Sequence, residues 1–175
     1  GIAIALFALA YSTGPWPLSH HGLGEAAVLI FFGLVPVVLT AWLQTGSWDV
    51  LPVALPMSLA VGLMGANVMI VNNYRDYCDD KKAGKHTLAV IMGRPATASL
   101  YLVNGFMALL LIETATITRL PALWQLGPLV YINLHWLLWQ TMRNSEGSQL
   151  NPVLGKTSML MFGVSIWALA ALAIN

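Results

Sequence analysis

Residues 50–71 read VLPVALPMSLAVGLMGANVMIV and contain no charged side chain. An α-helix needs about 20 mostly apolar residues to cross the hydrocarbon core of a bilayer. The stretch therefore predicts a transmembrane helix. The whole chain has the same character, because 58% of its 175 residues are apolar and only 9% are charged. This composition excludes an ordinary water-soluble domain.

Apolar blocks of similar length lie on both sides of this stretch. They cover Ala26 to Gln44, Tyr101 to Thr118, Ala122 to Met142 and Val153 to Ile174. Residues 1–10 are apolar but only about half a span long, and they lack an initiator Met and the basic start of a signal peptide. The expected fold is therefore all-α: a multi-span transmembrane helix bundle of about five full spans plus a truncated N-terminal helix, in one membrane domain over residues 1–175.

Basic residues collect on one side of the predicted bundle when the spans are counted alternately. Loops 11–25, 72–95 and 143–156 share that side, and the opposite side holds only Arg119. The basic side carries Arg75, Lys81, Lys82, Lys85, Arg94, Arg143 and Lys156. By the positive-inside rule this side is expected to be cytoplasmic. The single Cys78 lies there, so no internal disulfide and a reducing setting are expected.

Small and polar residues inside the spans predict roles in helix packing. Gly33, Gly62 and Gly65 would let neighbouring helix backbones approach closely. His135, near the middle of its span, is interpreted as a neutral side chain that hydrogen-bonds between helices. Glu113 is expected to reach water near the outer end of its helix, and neither residue is assigned to catalysis.

The stretch after residue 71 reads NNYRDYCDDKKAGKHTL over residues 72–88. It holds three of the chain's seven carboxylates and four of its eight Lys and Arg residues. Asp76 and Asp80 are four apart, so on a continuing helix they lie on one face with Cβ atoms about 5–6 Å apart. Two such carboxylates suit Mg²⁺, which completes its coordination with water and substrate phosphates. Asp79 lies on another face and is the weaker candidate.

The cations of this loop suit the oxygens of a diphosphate. Arg75, Lys81, Lys82 and Lys85 are charged donors, and together with a metal they would neutralise a departing diphosphate. Spacing alone supports a second interpretation equally well. In that interpretation the loop is merely solvated, and its acids pair with Lys and Arg residues that fix the topology.

The same loop resembles the second aspartate-rich motif of the UbiA superfamily of intramembrane prenyltransferases, in particular the 1,4-dihydroxy-2-naphthoate polyprenyltransferase branch of the menaquinone pathway. The motif of that branch is Asn-Asn-x-Arg-Asp-x-x-x-Asp, followed by Gly-Lys-x-Thr-Leu and a further Gly. It matches Asn72, Asn73, Arg75, Asp76, Asp80, Gly84, Lys85, Thr87, Leu88 and Gly93. Residues 11–25 resemble the inner loop after that branch's fourth span, and residues 150–157 resemble the start of its last span.

The resemblance implies a nine-span bundle of which this chain is the C-terminal portion, with a central cavity open sideways to lipid. It implies magnesium-dependent transfer of a polyprenyl group from polyprenyl diphosphate to 1,4-dihydroxy-2-naphthoate, with loss of carbon dioxide and diphosphate, giving demethylmenaquinone. The expected location is the bacterial inner (plasma) membrane, with the site loops cytoplasmic. Membrane lipid is an expected partner and nucleic acid is not.

The resemblance also implies roles for individual residues. Asp76 and Asp80 would bind Mg²⁺, and Tyr11 would orient or deprotonate the aromatic acceptor. An interfacial Tyr11 is the alternative. The diphosphate would contact Arg75, Lys81 and Lys85, with support from Asn72 and Asn73.

One feature of the family is absent from the sequence. The family carries an earlier motif, Asn-x-x-x-Asp-x-x-x-Asp, that this chain lacks, so the chain alone is expected to be inactive. Two other functions stay open: transfer to another aromatic acceptor, such as 4-hydroxybenzoate, homogentisate or a chlorophyllide, and lipid binding or transport by a non-catalytic membrane subunit. The acids at i and i+4 argue against the second, because a pure anion site would do better without them.

Overall fold

A computed structural model describes residue 17, residues 20–116, residue 124 and residues 126–173. These residues form helices joined by short turns, and no strand occurs among them. The helices are α1 (Gly24–Thr45), α2 (Leu51–Arg75), α3 (Tyr77–Lys82), α4 (Leu88–Met92), α5 (Arg94–Thr116), α6 (Leu126–Arg143) and α7 (Asn151–Ala173), with 3₁₀ turns at Trp48–Val50 and Gly147–Leu150. The prediction of an all-α bundle is confirmed.

Four helical segments of the described residues are long and apolar enough to cross a membrane. They are Gly24–Thr45, Trp48–Arg75, Arg94–Thr116 and Gly147–Ala170. The helix α6 has 18 residues, about 27 Å in length, and its polar side chains keep it out of this group. Four of the five expected spans are therefore confirmed in the described part of the chain, and the fifth, Ala122 to Met142, begins in a stretch that lies partly outside it. The expected N-terminal helix over residues 1–10 lies outside the described residues.

The helix α2 lies in the centre of the described bundle. It packs against α1, α5 and α7, while α6 packs against α5 and α7. Buried apolar side chains fill the bundle in two clusters at different depths. One includes Ile70, Val71, Tyr101, Met142 and Leu150, and the other includes Ala60, Met64, Ala108, Ile112 and Tyr131.

The close crossing of α1 and α2 depends on two glycines. A Cβ atom on Gly33 would collide with the backbone of Gly62, and one on Gly62 would lie 2.7 Å from the carbonyl oxygen of Leu29. The predicted packing role of both glycines is therefore confirmed. At this crossing α1 is π-helical over Leu29–Leu34, just before Pro36, which cannot donate the usual helical hydrogen bond.

Alternating helix directions bring one set of helix ends together. The starts of α1, α5 and α7 meet the ends of α2 and α6, as shown by side-chain hydrogen bonds between Asn73 and Glu25, Arg75 and Asn151, and Arg94 and Glu146. We call this the basic end, because the described residues there carry seven of the chain's eight Lys and Arg side chains. The candidate site lies at this end.

Candidate functional site

The backbone between α2 and α3 keeps a helical turn across the junction of the two helices. Asp76, with φ −89° and ψ 6°, separates α2 from α3. Its N–H nevertheless donates to the carbonyl of Asn72 at 3.0 Å, and the N–H of Asp80 donates to the carbonyl of Asp76 at 2.9 Å. Asp76 and Asp80 therefore lie one helical turn apart, as their spacing predicts.

Arg75 connects α2 to α7 and orients Asp76. Its Nε and Nη2 donate to the two carboxylate oxygens of Asp76 at 2.7 and 2.9 Å. Nη2 also donates to Asn72 Oδ1 at 2.9 Å, and Nη1 donates to Asn151 Oδ1 at 3.0 Å. A two-pronged pair of this kind combines charge with fixed geometry. The Asp76 side chain is still 37% exposed, so a ligand can reach it.

Asp80 is the buried acid of the site and is paired with Lys85. Its side chain is 9% exposed, and it accepts a hydrogen bond from Lys85 Nζ at 3.0 Å. The chain returns to Asp80 through Gly84, whose φ of +71° favours glycine. After this turn the Lys85 N–H donates to the Asp80 carbonyl at 2.9 Å. The turn thus holds a cation against the carboxylate through both backbone and side chain.

The other charged residues of the loop stand apart from this pair. Asp79 has a side chain that is 88% exposed and lies 3.9 Å from Lys82 Nζ. Lys81 is exposed, with Nζ 5.8 Å from the centre of the Tyr77 ring. The structure therefore brings together Asn72, Arg75, Asp76, Asp80 and Lys85.

Asn73 faces a different partner, Glu25 at the start of α1. Its Nδ2 donates to Glu25 Oε1 at 2.7 Å, and both side chains are buried. A carboxylate accepts hydrogen bonds, so Glu25 engages one of the two N–H groups of the Asn73 side chain. The other carboxylate oxygen of Glu25 is buried and has no hydrogen-bond partner among the described residues.

Glu25 is not among the site residues predicted from the sequence. A carboxylate in the first turn of an otherwise apolar span is the sequence signal for a further role, but its partner lies 48 residues away. That contact exists only in the folded bundle.

Arg94 closes the charged loop at its far end. Its guanidinium lies 5.2 Å from the centre of the Tyr74 ring and 5.4 Å from that of Tyr77, and it pairs with Glu146 at 2.6 Å. His86 N–H donates to the carbonyl of His20 at 2.9 Å, which joins this loop to the segment before α1. Tyr11, the predicted acceptor-binding residue, lies outside the described residues.

An apolar groove of about 530 Å³ leads to this cluster. It lies between α1, α2 and α7, and its walls include Phe32, Val61, Val68, Leu154 and Met161, with Asn72 also on its lining. Asn72 is the residue that Arg75 holds. The groove therefore joins an apolar surface to the charged cluster.

Two carboxylates of this cluster, those of Asp76 and Asp80, are the described groups that could hold a divalent cation. No group of three or more His, Cys, Asp or Glu residues is placed to hold a metal within the described ranges. Asp76 and Asp80 supply carboxylate oxygens, and Mg²⁺ typically takes one or two carboxylates and completes its octahedron with water and phosphates. Arg75 and Lys85 already hold positive charge against both acids.

Comparison with known proteins gives one consistent assignment. The UbiA prenyltransferase family matches residues 1–166. The 1,4-dihydroxy-2-naphthoate octaprenyltransferase of Mycobacterium tuberculosis is 35% identical over 161 residues, which cover 91% of this chain and 52% of that protein. The enzyme of the same name from Escherichia coli is 29% identical over 160 residues, 90% of this chain and 50% of that protein.

A third relative matches a shorter stretch. The 1,4-dihydroxy-2-naphthoate octaprenyltransferase of Haemophilus influenzae is 44% identical over 93 residues, which cover 53% of this chain and 30% of that protein. The chain thus spans about half the length of the curated relatives that it matches over most of its own length. No solved structure matches. The family match and the membrane-spanning helices together show that this chain is an integral membrane protein of the UbiA prenyltransferase family.

Proposed function

We propose that the protein containing this chain transfers a polyprenyl group from polyprenyl diphosphate to 1,4-dihydroxy-2-naphthoate, releasing diphosphate and carbon dioxide and giving demethylmenaquinone. The observation that carries this proposal is the cluster of Arg75, Asp76, Asp80 and Lys85 at a groove with apolar walls. The names of the relatives support the choice of acceptor.

The groove and the cluster suit the two ends of a prenyl diphosphate. The apolar walls between α1, α2 and α7 would bind the prenyl chain, and Asn72 marks where it meets the charged end. Magnesium held by Asp76 and Asp80 would supply charge neutralisation for the diphosphate. The prenyl carbon–oxygen bond then breaks, and the bonding electrons leave with the diphosphate.

The basic side chains of the cluster would contribute differently to diphosphate binding. Four of the five N–H donors of Arg75 are engaged by Asn72, Asp76 and Asn151, so Arg75 chiefly orients Asp76 and keeps one donor for substrate. Lys85 is 39% exposed and Lys81 is exposed, so both ammonium groups can reach diphosphate oxygens. Asn73 has one of its two side-chain N–H groups engaged by Glu25, so its remaining N–H and its carbonyl oxygen would support substrate binding.

The rest of the protein is part of this proposal. We propose a nine-span bundle in which the other spans supply the first aspartate motif and the basic end faces the cytoplasm of a bacterial inner membrane. On this basis the chain expressed alone is inactive.

Purified full-length protein, labelled polyprenyl diphosphate and a panel of acceptors test the activity. Prenylated product is expected with 1,4-dihydroxy-2-naphthoate and Mg²⁺, and none is expected with EDTA. Greater turnover with 4-hydroxybenzoate or homogentisate would show that the protein uses a different aromatic acceptor. Binding of prenyl diphosphate without turnover of any acceptor would support a non-catalytic lipid-binding protein instead.

A pair of neighbouring acids provides a matched test of the metal assignment. Asp80→Ala is expected to lower kcat by roughly 10²–10³-fold, the range seen when a transition-state-stabilising group is removed. Asp79→Ala removes the same group from an exposed position and is expected to retain near-normal turnover. Equal activity of the two variants would contradict the role of Asp80.

A further inference from the structure

A second apolar groove lies between α6 and α7. Its volume is about 510 Å³, and its walls include Leu134 and Leu138 from α6 and Met159, Gly163 and Trp167 from α7. None of these residues lines the groove that leads to the candidate site. The two grooves are separate surfaces of the bundle.

The helix α7 separates the two grooves by its own geometry. It presents Leu154, Ser158 and Met161 to the site groove, and Lys156 and Met159 to the second one. Leu154 and Lys156 are two residues apart, about 200° around a helix. A ligand in the second groove would therefore not touch the proposed substrate site.

Among the described residues that line the second groove, Lys156 is the charged one. It is exposed, and it lies within the first two turns of α7 at the basic end. All seven carboxylates of the chain belong to the described residues, and Lys156 forms no ion pair with any of them. An ammonium without a carboxylate partner thus stands beside an apolar groove.

The groove beyond Lys156 is open and has the dimensions of a lipid chain. A Cβ atom on Gly163 would meet no atom within 4 Å, whereas one on Gly127 would collide with the Trp167 ring. Gly163 therefore leaves free space, and Trp167 packs tightly across α6 farther along the helix. The eleven residue steps from Lys156 to Trp167 span about 16 Å.

We propose that the α6/α7 groove binds one anionic phospholipid of the membrane leaflet at the basic end. Its headgroup phosphate pairs with Lys156, and one acyl chain lies along Gly163 toward Trp167. A long Lys side chain can extend from an apolar helix face to the headgroup level. The charge of Lys156 favours an anionic headgroup over a zwitterionic one, and a water-soluble anion would leave the apolar walls uncovered.

Lipid binding to the purified full-length protein tests this site without an activity assay. Native mass spectrometry would compare phosphatidylglycerol with phosphatidylcholine of the same acyl chains. The unmodified protein is expected to bind phosphatidylglycerol about fivefold more tightly, the factor that corresponds to about 1 kcal/mol for one basic residue at an anionic surface. Lys156→Gln should remove that preference, and Gly163→Phe should weaken the binding of both lipids.

Matched variants separate this groove from general lipid contact. Lys82→Gln removes a positive charge elsewhere at the basic end, and Gly155→Phe adds the same side chain to α7 at a position outside the groove. Both controls should bind lipid as the unmodified protein does. Equal affinity for the two lipids, or a preference that survives Lys156→Gln, would overturn the proposal. Unchanged lipid binding by Gly163→Phe would also overturn it, because the phenyl ring would occupy the space assigned to the acyl chain.

Discussion

Each carboxylate near the site has one dominant partner, and the partners differ in kind. Asp76 pairs with a guanidinium and stays open to solvent, Asp80 pairs with an ammonium and is buried, and Glu25 pairs with a neutral amide. An ion that reaches the site therefore meets Asp76 first. Access to Asp80 requires the Lys85 side chain to move or to share the carboxylate.

The turn at Gly84 provides a test of how Lys85 is held in place. Gly84 has φ +71° and an open space around its Cβ position, so Gly84→Ala introduces backbone strain of about 1–2 kcal/mol without a collision. Misplacing Lys85 should raise the KM for prenyl diphosphate in the full-length protein. Asn adopts this backbone conformation more readily than Ala does, so the KM of Gly84→Asn should lie close to that of the unmodified protein. An Asn variant as impaired as the Ala variant would contradict this explanation.

The Glu25–Asn73 hydrogen bond should contribute measurably to stability. Glu25→Ala leaves a buried amide group without its acceptor, which costs about 1–3 kcal/mol of unfolding free energy. Glu25→Gln retains a carbonyl acceptor and should cost less than half of that. Unfolding in detergent by SDS titration would measure both. Asp79→Ala, an exposed acid, is the control and should change stability by less than about 0.5 kcal/mol.

At the scale of helices, close packing depends on single glycines that face large groups. The His135 ring lies between Tyr101 and Tyr131, with ring centres 4.7 and 5.6 Å away. Its Nε2 lies 3.3 Å from the carbonyl oxygen of Leu102, which confirms the expected hydrogen bond between helices. Gly105 on α5 leaves room for this ring, so α5 and α6 meet at the imidazole.

Gly105→Ala should therefore destabilise the bundle. The added methyl group would overlap the His135 ring, and overpacking of this kind costs typically about 1–3 kcal/mol. Thermal unfolding in detergent would show a lower midpoint, while Gly155→Ala, which meets no atom within 4 Å, should leave it nearly unchanged. In the double variant Gly105→Ala/His135→Ala the added methyl group no longer meets the imidazole ring. Its loss of unfolding free energy should therefore be smaller than the sum of the losses in the two single variants. Strict additivity would contradict direct contact.

Hydropathy predicts the middle of these helices more accurately than the helix termini that lie at the basic end. The second span was expected over Val50 to Val71, yet α2 continues to Arg75, because the polar residues of its last turn find partners on other helices. The helix α5 begins at Arg94 rather than near Tyr101, since Arg94 is held by aromatic rings and Glu146. Such partners are distant in sequence, so a search of the sequence for apolar stretches does not detect them.

At the scale of the whole molecule, the basic end was predictable and the pairing within it was not. The positive-inside count placed on one side the loops that meet at the basic end. It could do so because the charges and the order of the spans are read directly from the sequence. The contacts of Glu25 with Asn73 and of Arg75 with Asn151 join residues 48 and 76 positions apart. They depend on which helices are neighbours, and no motif in the sequence specifies that.

Cysteine labelling can determine which side of the membrane the basic end faces. Cys78 is exposed, so in full-length protein whose other cysteines are replaced by serine, a membrane-impermeant maleimide should label it in inverted vesicles but not in intact cells. Asp49→Cys, placed in a Cys78→Ser background, lies at the opposite ends of α1 and α2 and should show the reverse pattern. Labelling of Cys78 in intact cells would overturn the cytoplasmic assignment.

The bond between Arg75 and Asn151 also bears on how the protein is made. The two residues are 76 positions apart in the sequence, and at about 5–20 residues per second a ribosome needs roughly 4–15 seconds to cover that distance. During that interval Arg75 lacks its link to α7, and the wall that α7 contributes to the site groove does not yet exist. The groove beside the candidate site is thus complete in the nascent protein only after α7 has been inserted.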